Sequence, residues 1–472
     1  MIQEYPVTKM IVQLAADNLL PSILFRTSRR QCDVDIVKLA RTRSALLPDA
    51  QQKALEADVS ALIDKYQLER DVILGHVQYE ALIQTGCGAH HAGQLLAWRL
   101  LLEELMTRSA LRLMIATGTV AAGVDFPARS VIITAHSKRG NEGFNTLSAS
   151  EFQQMSGRAG RRGKDVVGFC LVAPGTFSDA RVIHEVSRQP PEPLRSAYFA
   201  APSTILNLLK FRNVDDLQFT VERSLASFLD RKAAHHMRAE SVEMESELFS
   251  ETTTKLVGEA KKKAEKRVRR KLREAEEIEG RQAVTLRKML EGLGRLGYVD
   301  EGKLTEKGAW SAALCTNLVL ELGEAISSFL FADLTLEEVV GLVASIAGDP
   351  HRTYLSIKTN PIKSEYFKKI GECITRVRGA FETPPNSDIK VLPEAALTVM
   401  TWIDAESWMA FSGLLRLGGV AEGDAARLIM QTAEHLGQMA RLRETHPDLA
   451  ALCIEGRKRL LKPPLSEAVV AD

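Results

Sequence analysis

Apolar and polar positions divide this chain into two regimes. Over the first 185 residues, short apolar runs ending in turns alternate with longer stretches whose apolar residues recur every three or four positions. Ile23-Leu24-Phe25 follows Leu20-Pro21-Ser22 and opens into the polar segment Arg26 to Cys32, which predicts a strand feeding a helix. Ser44 to Ile83 carries helical periodicity, and Leu111 to Ala116 is the next strand. Val131 to Ala135 and Val167 to Val172 predict further buried strands, and Ser150 to Gln153 a helix between them. Strands and helices in alternation predict a parallel sheet covered on both faces, so the fold class here is α/β.

Beyond the proline cluster Pro190-Pro191-Glu192-Pro193 the pattern turns helical. Leu194 to Tyr198, Ile205 to Leu209 and Glu222 to Phe228 predict helices, and Met289 to Tyr298 leads through a turn to Leu304 to Trp310. Breaks fall at Gly348-Asp349-Pro350 and from Glu382 to Asp388, and Trp402 and Trp408 read as core. Lys261 to Arg273 holds nine basic side chains in thirteen with Glu265 its one acid, followed by Glu274, Glu276, Glu277 and Glu279. Such a run is expected to be a solvated helix face with intrahelical pairing, and a nucleic-acid contact is the second reading.

Composition changes this picture little. The 472 residues are 45% hydrophobic and 26% charged with net charge +1, so any polyanion footprint must be local. Cys32, Cys87, Cys170, Cys315, Cys373 and Cys453 lie far apart and indicate reduced thiols, neither a metal site nor a disulfide framework. No run is long and apolar enough to span a membrane and the start lacks a signal peptide, so the expected location is cytoplasmic with no membrane partner. The adjacent His90 and His91 are expected to diverge along a strand, with no Cys or carboxylate to complete a metal site.

The densest chemistry is Gln154-Met155-Ser156-Gly157-Arg158-Ala159-Gly160-Arg161-Arg162-Gly163. Its glycines allow close backbone approach, and its arginines can converge on phosphate oxygens. This stretch resembles motif six of the superfamily two helicases at Gln154, Gly157, Arg158, Gly160 and Arg161. In its extended form it is most similar to the superkiller-type, exosome-associated RNA helicases. Thr117 to Pro127 resembles motif five, and Ser28 with Arg29 resembles motif four. His90-His91-Ala92-Gly93 with Arg99 and Glu103 also matches the superkiller branch.

The resemblance implies a RecA-like parallel-sheet motor domain over 1–185, a winged-helix-like segment over 186–235, a charged helical connector over 236–290 and a C-terminal ratchet-type helical bundle over 291–465, with a frayed tail at 466–472. It implies that Arg158 and Arg161 act on the γ-phosphate of ATP and that Gln154 orients water or phosphate. Gly123, Asp125, Gly157 and Gly160 fall on the ATP side, where Asp125 accepts a ribose hydroxyl. Ser28, Arg29, Thr117, Gly118 and Thr119 fall on the nucleic-acid backbone. Asp125 departs from the Asn frequent in the superkiller branch.

No Gly-x-x-x-x-Gly-Lys-Ser/Thr loop and no Asp-Glu-x-His set occurs in the chain, and Gly163-Lys164-Asp165 is a decoy. The expectation is therefore the second half of an ATP-dependent RNA helicase moving 3′ to 5′. ATP and Mg2+ would be held mainly by a first motor domain, encoded upstream or on a separate chain. Its partner would be single-stranded or structured RNA, with DNA possible. Two alternatives stay open: a DNA helicase of the related winged-helix and ratchet branch, and a non-catalytic nucleic-acid-binding or regulatory relic.

Overall fold

The computed structural model describes residues 4–118, 127–140, 143–196, 200–249, 259–356 and 359–466. Its amino-terminal part contains α1 (Val7–Ala16), β1 (Ser22–Arg26), α2 (Arg29–Ala40), α3 (Asp49–Tyr66), α4 (Arg70–Leu74), α5 (Tyr79–Thr85), β2 (Cys87–His90), α6 (Leu96–Thr107) and β3 (Leu113–Thr117). β4 (Ser130–Ile133), the hairpin β5 (Ser137–Gly140) and β6 (Gly143–Thr146), α7 (Ala149–Ser156), β7 (Phe169–Val172) and α8 (Ala180–Ser187) follow. Five strands form one parallel sheet in the order β2-β3-β1-β4-β7.

The sheet is apolar on both faces because both are covered. Ile23, Phe25, Met114, Ala116, Val131 and Ile133 face the core that holds α3 and α6, whereas Leu24, Ala89, Ile115 and Ile132 face α1 and α2. That alternation is the two-residue period of a strand, and covering both sides explains why the strands read as unbroken apolar runs.

The last strand departs from expectation. Residues 166–168 are loop, and β7 is an edge strand with Phe169 38% exposed, not a buried one. The late start of β7 follows from Gly168, which sits so tightly against the loop before it that a Cβ would lie 2.4 Å from the Ala159 carbonyl. The chain cannot enter the ladder until it clears that contact. Leu194 to Ser196 forms no regular secondary structure where a helix is predicted, and the rest of that stretch, to Tyr198, lies outside the described residues.

The carboxyl-terminal part begins with α9 (Pro202–Leu208) and α10 (Val214–Glu222), then the long antiparallel pair α11 (Leu225–Phe249) and α12 (Glu259–Arg295). β8 (Val299–Asp300) and β9 (Lys303–Leu304) make a small antiparallel hairpin ahead of α13 (Glu306–Ser311). α9 packs on α13, and Gly302 at the hairpin turn lies against Val214, so segments about 90 positions apart in sequence meet around the base of the long pair. α14 (Val319–Ser327), α15 (Leu336–Ala347), α16 (Ser364–Ala380), α17 (Pro393–Asp404), α18 (Trp408–Leu417), α19 (Glu422–Met439) and α20 (Pro447–Leu460) form the bundle. Trp402 and Trp408 are core residues, as expected, meeting at 5.2 Å between ring centroids. One continuous apolar core runs from the α3 and α6 side of the sheet into this bundle.

Candidate functional site

The carboxyl ends of β1, β3 and β4 open into a pocket of about 380 Å3 lined by Phe25, Thr27, Thr117, Gly118, Lys138 and Gln154, among others. This is the rim where open parallel sheets place ligands. Thr117 ends β3 and Gly118 follows it. Gln154 reaches the same pocket from α7, whose start is fixed by a reciprocal cap between Ser148 and Glu151. Lys138 enters from β5 and pairs with Glu151. The structure thus brings together Thr117, Gly118 and Gln154. Thr119, Gly123 and Asp125 lie outside the described residues.

The arginine loop is anchored from below. The Ala128 N–H donates to the Arg158 carbonyl at 2.9 Å, and the Gly160 N–H donates to the Ala128 carbonyl at 2.7 Å. Gly160 holds φ at +92°, a conformation that glycine adopts without strain. Gly157 caps α7, its N–H donating to the Gln153 carbonyl at 2.8 Å.

Arg161 has a partner that sequence reasoning missed. Its Nε and Nη2 donate to the two oxygens of Asp165 at 2.7 and 2.8 Å, its backbone N–H donates to the same carboxylate at 3.0 Å, and Nη1 donates to Ser109 at 3.2 Å. The Asp165 side chain is only 3% exposed. Hydrogen bonding from Arg161 pulls its carboxyl down to about 2 and raises the guanidinium in return. The signal available was the spacing of four between Arg161 and Asp165.

Ser28 and Arg29 are placed differently from Thr117. The Ser28 hydroxyl caps α2, accepting from the Gln31 N–H at 3.2 Å. Arg29 Nη1 donates to both oxygens of Asp424 in the first turn of α19, at 2.9 and 2.7 Å. Beside that ion pair the Gly423 N–H donates to the Gly93 carbonyl at 3.0 Å, and a Cβ on Gly423 would stand 2.5 Å from the Gln94 carbonyl. The His90-His91-Ala92-Gly93 segment is therefore the seat on which α19 rests. His76 stacks on Trp98 at 3.8 Å and bonds Gln94 at 2.9 Å, and burial pushes its imidazole down to about 4.

Each of the two histidines has a carboxylate partner that the spacing did not assign. His90 Nε2 bonds Glu103 at 2.6 Å and His91 Nε2 bonds Asp33 at 3.0 Å, one acid to each ring. Divergence along the strand end sends them to separate partners, and no group of three metal-ligating side chains forms among the described residues. Gly297 with Gly302-Lys303 repeats the glycine spacing of a phosphate loop, but Leu304 replaces the hydroxyl residue and the segment is the β8–β9 hairpin. No helix among the described residues is long and apolar enough to cross a membrane.

A parallel sheet of this order, with the glutamine, glycine and arginine loop beside it, defines a RecA-like domain followed by a helical region. Residues 301–467 match the DSHCT (NUC185) domain family. The chain is 28% identical over 251 residues to "Probable helicase HelY" of Mycobacterium tuberculosis, a match covering 53% of this chain and 28% of that protein. It is 28% identical over 228 residues to the exosome RNA helicase MTR4 of Homo sapiens, covering 48% of this chain and 22% of the relative. It is also 33% identical over 197 residues to the chloroplastic DExH-box ATP-dependent RNA helicase DExH15 of Arabidopsis thaliana, covering 42% and 16% respectively. The chain is thus similar to these helicases over about half its length, and the matched segments span less than a third of each of these relatives.

Proposed function

We propose that this chain is the second half of an ATP-dependent RNA helicase, supplying arginines to an ATP held by another motor domain and part of the nucleic-acid track. The observation that carries this reading is the arginine loop tied to Ala128 beside a strand-end pocket shared by Thr117, Gly118 and Gln154. Arg158 and Arg161 stabilise the charge that develops on the transferred phosphoryl group, and Gln154 orients water or phosphate. Asp165 positions Arg161: with Nε and Nη2 held, the guanidinium presents its remaining N–H groups from a fixed plane. Gly157 and Gly160 let the loop approach closely, and Gly123 and Asp125 complete the nucleotide side.

The donors of this loop fit an anion. ATP and Mg2+ would be held mainly by a first motor domain, in a longer protein or on a separate chain. ATP hydrolysis supplies the free energy. This chain's part is to close on the nucleotide, hold the RNA backbone through Thr117, Gly118 and Thr119, and carry α19 along through the Arg29 to Asp424 contact. Movement would be 3′ to 5′.

RNA is favoured over DNA because two relatives are RNA helicases by name. The test is fluorescence anisotropy with a labelled single-stranded RNA, competed by RNA or DNA of the same sequence. Thr117→Val with Thr119→Val is expected to weaken RNA binding about tenfold, the loss of about 1.4 kcal/mol in backbone hydrogen bonds. Equal affinity in this variant would contradict the track. Preferential competition by DNA would move the chain to the DNA branch.

A further inference from the structure

The long pair α11–α12 carries a surface that the motor reading leaves unused. Val268 and Ala275 of α12 are buried along the stretch that pairs with α11, whereas Leu286 and Met289 near its carboxyl end join the core of the bundle. At 3.6 residues per turn, Lys262, Lys266, Arg269 and Arg273 fall on one stripe directly opposite that seam, with Lys263, Arg267 and Arg270 flanking it. All seven are exposed. Among the described residues, the ion pairs of this arc are Arg269 with Glu265 at 3.8 Å and Arg270 with Glu274 at 3.3 Å. Lys271 points instead at Glu240 of α11. Seven cations thus face solvent against two carboxylates, in a chain whose net charge is only +1.

A face serving solubility alone would alternate its charges. The next turns of the same helix carry the opposite sign, with Glu274, Glu276, Glu277 and Glu279 ahead of Arg281, so the helix is divided into a basic and an acidic block. In the basic block Lys262 and Lys266, Lys263 and Arg267, and Arg269 and Arg273 repeat like charge at i,i+4, which weakens a helix in isolation. A membrane surface is a poor fit, since the apolar side of α12 is already buried against α11. The stripe runs straight for about 16 Å at 1.5 Å per residue, long enough to lie beside several phosphates spaced about 3.4 Å along one strand.

We propose that the outward face of α12 from Lys262 to Arg273 binds the sugar-phosphate backbone of a nucleic acid, as a second contact outside the motor. Charge and geometry carry this surface, and it adds a second foothold for the partner class of the motor reading.

The test uses the full chain and a labelled single-stranded RNA of about 20 nucleotides, titrated over a range of KCl concentrations. Lys262→Gln, Lys266→Gln, Arg269→Gln and Arg273→Gln combined should lower affinity at least tenfold at low salt. The slope of log affinity against log salt should flatten by about 2 to 3, at about 0.7 per lost phosphate contact. Glutamine keeps helix propensity, so helix content and melting temperature should hold. A charge-preserving set, Lys262→Arg with Lys266→Arg, should retain both affinity and slope. The motor variant Thr117→Val with Thr119→Val removes neutral contacts and should leave the slope unchanged while weakening binding. Wild-type affinity and slope in the glutamine variant would overturn the proposal and leave the motor reading standing. Loss of binding in the glutamine variant alone would support the proposal and count against the motor track. If the wild-type chain binds polyglutamate but no RNA, the surface is for an acidic protein and the proposal fails.

Discussion

At the scale of single residues, the account turns on Arg161 and Asp165. The arginine was legible in the sequence because its spacing from glycines and Gln154 is specific to phosphate chemistry, but its partner was not. Asp165 reads along the chain only as the residue that cannot serve a magnesium ion, and its role appears once the turn through Gly163, at φ +76°, folds it back. Arg29 shows the same limit: a forked donor at a strand end is visible, whereas its destination at Asp424 lies 395 positions away. Removing the carboxylate with Asp165→Ala should cost about 2 kcal/mol, the range for hydrogen bonds to charged groups, measured by chemical denaturation. The pH dependence has a definite sign. Because the folded carboxyl is held near 2 and its ordinary value is 3.8, the pair's stabilisation is complete above about pH 4 and is lost as pH falls toward 2. Asp165→Asn should flatten that part of the acid-unfolding profile; an unchanged profile would mean that the ion pair contributes nothing.

At the scale of elements, two glycines decide where strands and helices meet. Gly168 lets β7 pass under the arginine loop, and Gly423 lets α19 seat on the backbone of residues 92–94. Neither role could be read along the chain, since a glycine within an apolar run or at a helix start has many explanations, and the close approach is between distant segments. The strands themselves were legible because burial on both faces leaves continuous apolar runs, which is also why the edge position of β7 was not: Val166 to Val172 looks like the others. Gly168→Ala and Gly423→Ala each force a Cβ onto backbone atoms, and about 1 to 3 kcal/mol of destabilisation is expected from such overpacking. Their consequences should differ under hydrogen exchange. Gly168→Ala should raise exchange at residues 158–163, and Gly423→Ala at residues 92–94 and the first turn of α19. The same response from both variants would contradict separate contacts.

At the scale of the whole molecule, the helical region is fastened to the sheet domain by charge, by backbone and by a shared core. A double-mutant cycle on Arg29→Ala and Asp424→Ala should return a coupling of about 1 to 2 kcal/mol, and additive effects would remove that fastening. The same junction is sensitive to acid. His76 is buried as neutral imidazole with its pKa down to about 4 from 6.5, so the stability it lends is full above pH 6.5 and lost as pH falls toward 4. His435 in α19, also down to about 4 through burial, works in the same direction, so His76→Phe should reduce the fall in melting temperature between pH 6.5 and 4 without abolishing it. The most direct test of the central claim is ATP turnover with single-stranded RNA, measured for this chain by itself and for the chain fused to the phosphate-loop domain of a superkiller-type relative. The account predicts no turnover from the 472 residues and RNA-stimulated turnover from the fusion, abolished by Arg158→Ala. Turnover by the chain without the added domain, or a silent fusion that still binds RNA and ATP, would contradict it.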